Sequence, residues 1–253
     1  MADYSFHTPE PVVAQVKIPA GAIELETIDG TESSVVVEGS DKLVEQTRVE
    51  LVGNRLVVEY DGGKGPFGIT VMIGDWSFGR SPLQVRVRVP HGSSPVLTTA
   101  SADMRLRGRF ASLETKSASG ELTVDGDVEG DAQLKTVSGD ARLGAVGGSL
   151  TVQSVSGDAS AASVGGDVSG KFVSGDMRIA AAHEGTVTVQ SVSGDIEIGV
   201  AAGTNLDVDA GSVSGDLTSE VPLANDMGTL GGGPTLVVRG NTVSGDFRVF
   251  RAA

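Results

Sequence analysis

The second half of this chain repeats one tripeptide, Ser-Gly-Asp, at nearly constant spacing. Successive acidic residues of the repeat lie 18, 19, 18, 18, 19, 21 and 30 positions apart. The six full copies begin at Ser138, Ser156, Ser174, Ser193, Ser214 and Ser244, and the two weaker copies are Ser101-Ala102-Asp103 and Ser119-Gly120-Glu121. A fixed period of this length is typical of a repeat architecture, in which each unit packs against its neighbours.

The residues around each tripeptide alternate between apolar and polar, which predicts half-buried β-strands. On this pattern we expect the glycine and the valine that precedes each full copy to point inward, together with the residue after the acid. The valines are Val137, Val155, Val173, Val192, Val213 and Val243. The residues after the acid are Met104, Leu122, Ala141, Ala159, Met177, Ile196, Leu217 and Phe247.

A second glycine-containing turn follows each tripeptide, as at Gly147-Gly148 and Gly165-Gly166. Each repeat therefore consists of two short strands and two turns, and such a unit cannot bury its apolar face alone. The β-branched and glycine content of the repeats excludes helix. The sequence predicts an all-β, single-stranded β-solenoid with about 18–19 residues per coil and parallel pairing between coils.

Residues 1–95 lack the tripeptide but still alternate, for example at 12–18 and 85–89. We expect irregular coils or an antiparallel cap here, because an open solenoid end leaves backbone groups unpaired. Residues 96–253 are expected to form the regular solenoid. We expect residues 1–95 and 96–253 to belong to one continuous domain.

Two segments interrupt the pattern, at residues 61–82 and 220–235. The first concentrates Phe67, Trp76 and Phe78 among glycines. Loops of this length usually carry function. We interpret these aromatic residues as candidates for contact with a partner, and a cap over one end as the alternative.

Four arginines, Arg86, Arg88, Arg105 and Arg107, stand out in a chain with a net charge of −14. They fit the solvent-facing side of two strands, or else a patch for a small anion or an acidic partner. The overall charge argues against nucleic acid as a partner, because phosphates repel such a surface.

The repeated acids would form a ladder in a solenoid whose coils stack in register. The simplest role is structural, since Asp and Ser side chains accept backbone N–H bonds and stabilise turns. Cation binding is the alternative, but calcium needs six to eight oxygen ligands and one acid per coil supplies few. The weak metal candidates are Asp140, Asp158, Asp176, Asp195 and Asp216.

Catalysis has less support in the sequence. Glycoside hydrolysis needs paired carboxylates at a fixed separation, and a sugar cleft needs aromatic platforms, whereas the chain has one Trp and two Tyr. His7, His91 and His183 have no metal-binding spacing, and no phosphate-binding glycine loop occurs. We therefore predict a protein that is not an enzyme and has no cofactor.

The chain contains no cysteine, which fits a reducing compartment. Its N-terminal segment shows no basic stretch followed by an apolar run, and no segment approaches the roughly 18 consecutive apolar residues of a membrane span. We expect a cytoplasmic protein without direct membrane insertion.

The recurring Val-Ser-Gly-Asp, with the strand and turn of Val16-Lys17-Ile18-Pro19-Ala20-Gly21, resembles the bacterial "putative adhesin" family, whose β-solenoid is called the toastrack domain. The resemblance runs to Phe247. It implies a β-rod without established catalytic residues, often linked to envelope-stress systems.

Together these observations favour a non-catalytic interaction or scaffold protein that binds a protein partner. A self-assembling, filament-forming scaffold is the first alternative. A carbohydrate-acting β-helix enzyme is the second.

Overall fold

The computed structural model describes residues 1–62, 82–221 and 233–252. Within these ranges almost every residue lies in a strand or in a turn between strands. The parallel strands wind as a solenoid in which equivalent residues of neighbouring coils are mostly 18 or 19 positions apart, so the predicted fold class is confirmed. Of the described residues, none lies in a helix long and apolar enough to span a membrane.

In the described part of the chain, the N-terminal region contains seven strands and one short helix. These elements are β1 (Ala2–His7), β2 (Val13–Ile28), β3 (Glu32–Glu38), α1 (Asp41–Glu45), β4 (Thr47–Val52), β5 (Arg55–Tyr60), β6 (Gln84–Pro90) and β7 (Ser94–Phe110). This region is less regular than the repeats after it, as predicted.

The later region consists of the remaining described strands. They are β8 (Leu113–Ser119), β9 (Leu122–Val128), β10 (Ala132–Ser138), β11 (Ala141–Val146), β12 (Leu150–Ser156), β13 (Ala159–Val164), β14 (Val168–Ser174), β15 (Met177–Ala182), β16 (Gly185–Ser193), β17 (Ile196–Val200), β18 (Asn205–Ser214), β19 (Leu217–Ser219), β20 (Thr235–Ser244) and β21 (Phe247–Arg251).

Each regular coil has two arms that meet at a Ser-Gly-Asp corner. The first arm leads into the tripeptide, as in β10, β12 and β14, and the second arm leaves it, as in β11 and β13. First arms pair in parallel with first arms, and second arms with second arms. Every coil therefore repeats the corner directly beside the corner of the next coil.

The core lies between the two arms and runs along the whole rod. The residue that follows the acid is buried in seven of the eight copies, as predicted, and the next inward position behaves similarly. Leu217 is the exception with 48% exposure, because it belongs to the terminal coil. One continuous hydrophobic cluster joins β2 to β21.

The N-terminal end combines coils with antiparallel strands. β2 pairs in parallel with β5, β6 and β7, and so provides both arms of a coil. Beyond it, β4 pairs antiparallel with β5, β3 with β6, and β1 with β3. The direction of pairing therefore changes at this end of the solenoid.

The order of coils in space departs from their order in the chain at the C-terminal end. The last coil, β20 and β21, pairs on one side with β16 and β17 and on the other side with β18 and β19. The longer interval of the final repeat, 30 positions from Asp216 to Asp246, provides the connection. The coil that comes last in the chain is thus the next to last in the rod.

Candidate functional site

The Ser-Gly-Asp corners form a continuous edge along the regular part of the rod. In register, the serines follow the order Ser138, Ser156, Ser174, Ser193, Ser244 and Ser214. Equivalent atoms of neighbouring coils are separated by the strand spacing of about 4.8 Å. Any side chain that points outward from this edge is consequently repeated in a row.

The valine before each serine points outward, so its predicted inward position is wrong. We name Val137, Val155, Val173, Val192, Val243 and Val213 the valine ridge, in their order along the rod. Their exposure ranges from 46% for Val155 to 83% for Val213. The prediction extends the alternation backward from the second arm across the corner, but the corner interrupts the alternation.

The residue just before the valine is buried in four of the six coils. Ser154, Ser191 and Thr242 are all at most 6% exposed, and Phe172 occupies the same position in its coil. The hydroxyls of the first three residues donate to backbone carbonyls of the corner at 3.2–3.3 Å. In these coils, hydrogen bonds from buried hydroxyls therefore hold the corner next to the ridge in place.

Two hydroxyls of this buried region have no partner among the described residues. They are Ser117 Oγ and Thr136 Oγ1, which reach almost no solvent. Both residues line a cavity of about 20 Å³ that lies between the two arms, beside the Ser-Gly-Asp corner. Replacing the Thr136 hydroxyl by a methyl group would remove a polar atom that no other described residue bonds.

The corner glycine allows the coils to approach each other closely. At Gly175 φ is +145°, and a Cβ atom there would lie 2.4 Å from the carbonyl oxygen of Gly157 in the neighbouring coil. The predicted inward orientation is wrong at this position. A side chain would point along the rod into the next coil, so only glycine fits.

The acids form a ladder of hydrogen bonds between coils. Asp158 Oδ1 accepts the backbone N–H of Asp176 at 2.9 Å, and Asp176 Oδ1 accepts that of Asp195 at 2.8 Å. The same bond links Asp140 to Asp158, Asp195 to Asp246, and Asp246 to Asp216, at 2.8–3.1 Å. The predicted acceptor role is thus present, but the bonds join neighbouring coils instead of closing a turn within one coil.

Among the described residues, most ladder acids have no cationic neighbour at the second carboxylate oxygen. Arg142 lies 3.8 Å from Asp140 Oδ2 and 3.9 Å from Glu121. Of the described lysines and arginines, none lies within 4.0 Å of the other ladder aspartates. The described residues also contain no group of three His, Asp or Glu side chains that could hold a metal ion. The ladder therefore presents a row of negative charge beside the ridge.

The four candidate arginines lie on the outer face of the second arm, in alternation with acids. Glu24 stands in register between Arg86 and Arg105, and Glu26 between Arg88 and Arg107. Ion pairs join Arg86 to Glu24 and Arg88 to Glu26, each at 3.3 Å, and Arg107 to Asp125 at 3.8 Å. The arginines thus form a mixed-charge surface and do not make a continuous basic patch.

The other interaction candidates, Phe67, Trp76 and Phe78, lie outside the described residues, as does most of segment 61–82. Of the second segment, 220–221 and 233–235 are described. There the Glu220 carboxylate bonds the Arg248 guanidinium and raises its pKa. Arg248 and Arg178 also lie over the Phe250 ring, at 5.8 and 5.6 Å from its centroid, a contact that the sequence pattern does not reveal.

The outward position of the valines was the main feature missed, although the sequence contains a signal for it. Counting in steps of two from the apolar residues upstream, such as Leu134 and Val152, makes Thr136 and Ser154 inward and the next residues outward. The polar character of Thr136 and Ser154 concealed this phase, because buried positions are usually apolar.

A rod of stacked parallel coils with a single repeated corner defines this protein as a β-solenoid. The model of the Toastrack DUF4097 family matches residues 13–249, and the chain belongs to that family. Among curated proteins, none matches the sequence.

Two solved structures are similar over nearly their whole length. A "putative adhesin" from Bacteroides fragilis is 13% identical, with a TM-score of 0.59, over 98% of this chain and 96% of that one. A second, from Parabacteroides distasonis, is 14% identical, with a TM-score of 0.45, over 98% and 97%. The first likeness supports the fold.

Proposed function

We propose that this protein is a non-catalytic binding scaffold that presents the valine ridge to a protein partner. The observation that carries the proposal is the ridge itself. Six valines, each about half exposed or more, stand in one row on a rigid edge. Exposed apolar residues scattered singly are ordinary, whereas a contiguous apolar row is typical of an interaction site.

The corner beneath the ridge supports a binding role because it is rigid. Each coil is held to the next by backbone pairing, by the close approach at the glycine and by an aspartate bond. A surface that is already ordered loses little conformational entropy when it binds. The family resemblance further suggests a partner from an envelope-stress system, and a chain without cysteine fits a cytoplasmic location.

Site-specific photo-cross-linking in the native host tests this function. A photoreactive residue in place of Val155 should give discrete protein adducts. The same residue in place of Thr123, on the outer face of the second arm, is the matched control and should give none. Absence of adducts from Val155, and likewise from Val137 and Val192, would contradict the proposal.

Self-assembly is a second candidate, and the terminal coil favours it. Among the described residues, β18 and β19 pair on one side only, with β20 and β21. An unpaired strand edge is a template for pairing with another chain. Light scattering over a wide concentration range tests this candidate, which predicts a mass that grows with concentration; a constant monomer mass would exclude it.

A further inference from the structure

We infer that the occupant of the valine ridge is an amphipathic α-helix of a partner protein, with basic residues along one border of its apolar face. This inference rests on the function proposed above and adds the shape and charge of the partner. The area of the ridge, its direction and the charges on its two sides support it.

The area of the ridge favours a narrow occupant. Six half-exposed valine side chains present roughly 300–500 Å² of apolar surface, which is the size of the largest apolar patch on a typical soluble monomer, and such a patch is often functional. A standard protein interface buries about 800 Å² on each partner. The ridge alone is therefore too small for two rods packed face to face, whereas a single helix or strand would cover it.

The direction of the ridge favours a helix over a strand. The row runs along the rod, across the strands, and the residues on either side of each valine are paired with the neighbouring coils. An added strand needs free backbone groups at a sheet edge, which this row does not offer. The occupant must accordingly bind through its side chains.

The length of the ridge matches a short helix. Six valines at about 4.8 Å span about 24 Å. A helix rises about 1.5 Å per residue, so about 16 residues cover that distance. A helix of that length makes between four and five turns of about 5.4 Å. Its turns and the valines drift out of step by about 3 Å over the ridge, so the apolar face follows the row without matching one turn to one valine.

The two sides of the ridge differ in charge, and this difference defines the partner further. On one side runs the aspartate ladder, whose outer oxygens mostly lack cationic neighbours among the described residues. On the other side, two positions before each valine, stand neutral or basic residues. They are Lys135, Gln153, Lys171, Gln190, Asn241 and Gly211. A helix with lysines or arginines on the aspartate side and neutral residues on the other side complements both.

Binding of designed peptides to the full chain tests the inference. The probe is a helix of about 18 residues, long enough to cover the ridge, with a leucine face, lysines along one border and glutamines along the other. One control replaces each lysine by glutamate, and another scrambles the same composition so that no apolar face remains. Titration calorimetry should show that the lysine peptide binds and that the two control peptides do not. The affinity of the lysine peptide should fall at high salt, because salt screens its attraction to the aspartates.

A ridge variant distinguishes binding of the peptide to the valines from general attraction of a basic peptide to an acidic protein. The variant V155T/V173T/V192T keeps β-branched side chains but makes the centre of the ridge polar. We expect it to bind the lysine peptide about tenfold more weakly or worse, because each valine loses apolar burial. The matched control V36T/V52T changes valines outside the ridge and should bind as the wild type does.

Several results would overturn the inference. Equal affinity of the wild type and the ridge variant would reduce binding to charge alone, and equal affinity for the glutamate peptide would contradict the charge argument. A wild-type dimer that the ridge variant converts to a monomer would identify a second copy as the occupant. If the wild type binds neutral phosphatidylcholine vesicles and the ridge variant does not, the occupant of the ridge is a lipid surface and not a helix. Cross-links from Val155 in cells, without peptide binding, would leave the scaffold function standing and refute only the helix.

Discussion

The N-terminal part of this rod and its regular part use similar kinds of contact, but only the regular part repeats the same contact from coil to coil. In the N-terminal part, ion pairs on the surface join neighbouring strands, such as Lys17 with Glu59 and Arg86 with Glu38, each at 3.0 Å. In the regular part, the same glycine approach and the same aspartate bond recur from coil to coil. The N-terminal part also has a close glycine approach, at Gly21 beside the Leu83 carbonyl, but there the contact occurs singly. A repeated sequence makes one favourable contact many times, whereas an irregular sequence combines different ones.

The largest expected change in stability concerns a glycine of the regular part, compared with a glycine of similar φ in the N-terminal part. Gly175 in the regular part has φ of +145° and would place a Cβ 2.4 Å from a carbonyl oxygen; Gly30 has φ of +137° and nothing within 4 Å. We expect Gly175→Ala to lower the free energy of unfolding by about 3 kcal/mol, from strain and overpacking together. Gly30→Ala should cost about 1 kcal/mol, from strain alone. Equal losses in denaturant unfolding would contradict the close-approach argument.

The aspartate ladder offers the next test. Asp176→Ala removes the acceptor for the Asp195 N–H and should cost about 1 kcal/mol or more, whereas Asp176→Asn keeps an acceptor and should stay within about 0.5 kcal/mol. Thermal unfolding of both variants measures the difference. In the N-terminal part, Glu24→Ala removes only an exposed ion pair and should cost less than about 0.5 kcal/mol. If Asn proved as damaging as Ala, the charge of the ladder would matter more than its hydrogen bonds.

The unpartnered hydroxyls predict a gain in stability within the regular part. Thr136→Val keeps the shape of the side chain and removes a buried, unsatisfied hydroxyl, so we expect a stabilisation of about 1 kcal/mol. Thr242→Val is the matched control, since Thr242 donates to the Ser244 carbonyl at 3.3 Å, and it should destabilise. A loss of stability in Thr136→Val, measured by chemical denaturation, would show that its hydroxyl is bonded.

The smallest effect concerns pH and the N-terminal ion pairs. The hydrogen bond from Lys17 lowers the pKa of Glu59, with a further contribution from Arg48. Because the folded pKa lies below the unfolded one, this pair stabilises above the ordinary glutamate pKa, and the stabilisation is lost as pH falls through the folded value. Glu59→Gln should therefore cost about 0.5 kcal/mol near neutral pH and nothing in acid below that folded pKa. A difference in melting temperature that persists in such acid would disprove the assignment.

Much of the fold was predictable because its information is local and repeated. The apolar residues after each acid, such as Ile179 and Ile198, alternate in the chain and are buried in the structure. The acceptor role of the aspartates followed from their chemistry. The outward valines were missed because the corner changes the phase of the alternation, and the polar residues beneath them imitate an exposed position.

The amino-acid sequence alone determined the coil, its period and the place of its corner, because these depend on turn residues and alternation within one repeat. Only the tertiary structure decided which coil lies beside which, and hence that Asp246 stands between Asp195 and Asp216. Identical corners pair equally well with one another, so the local sequence contains no information about their order. The same stacking turns one valine per coil into a continuous ridge.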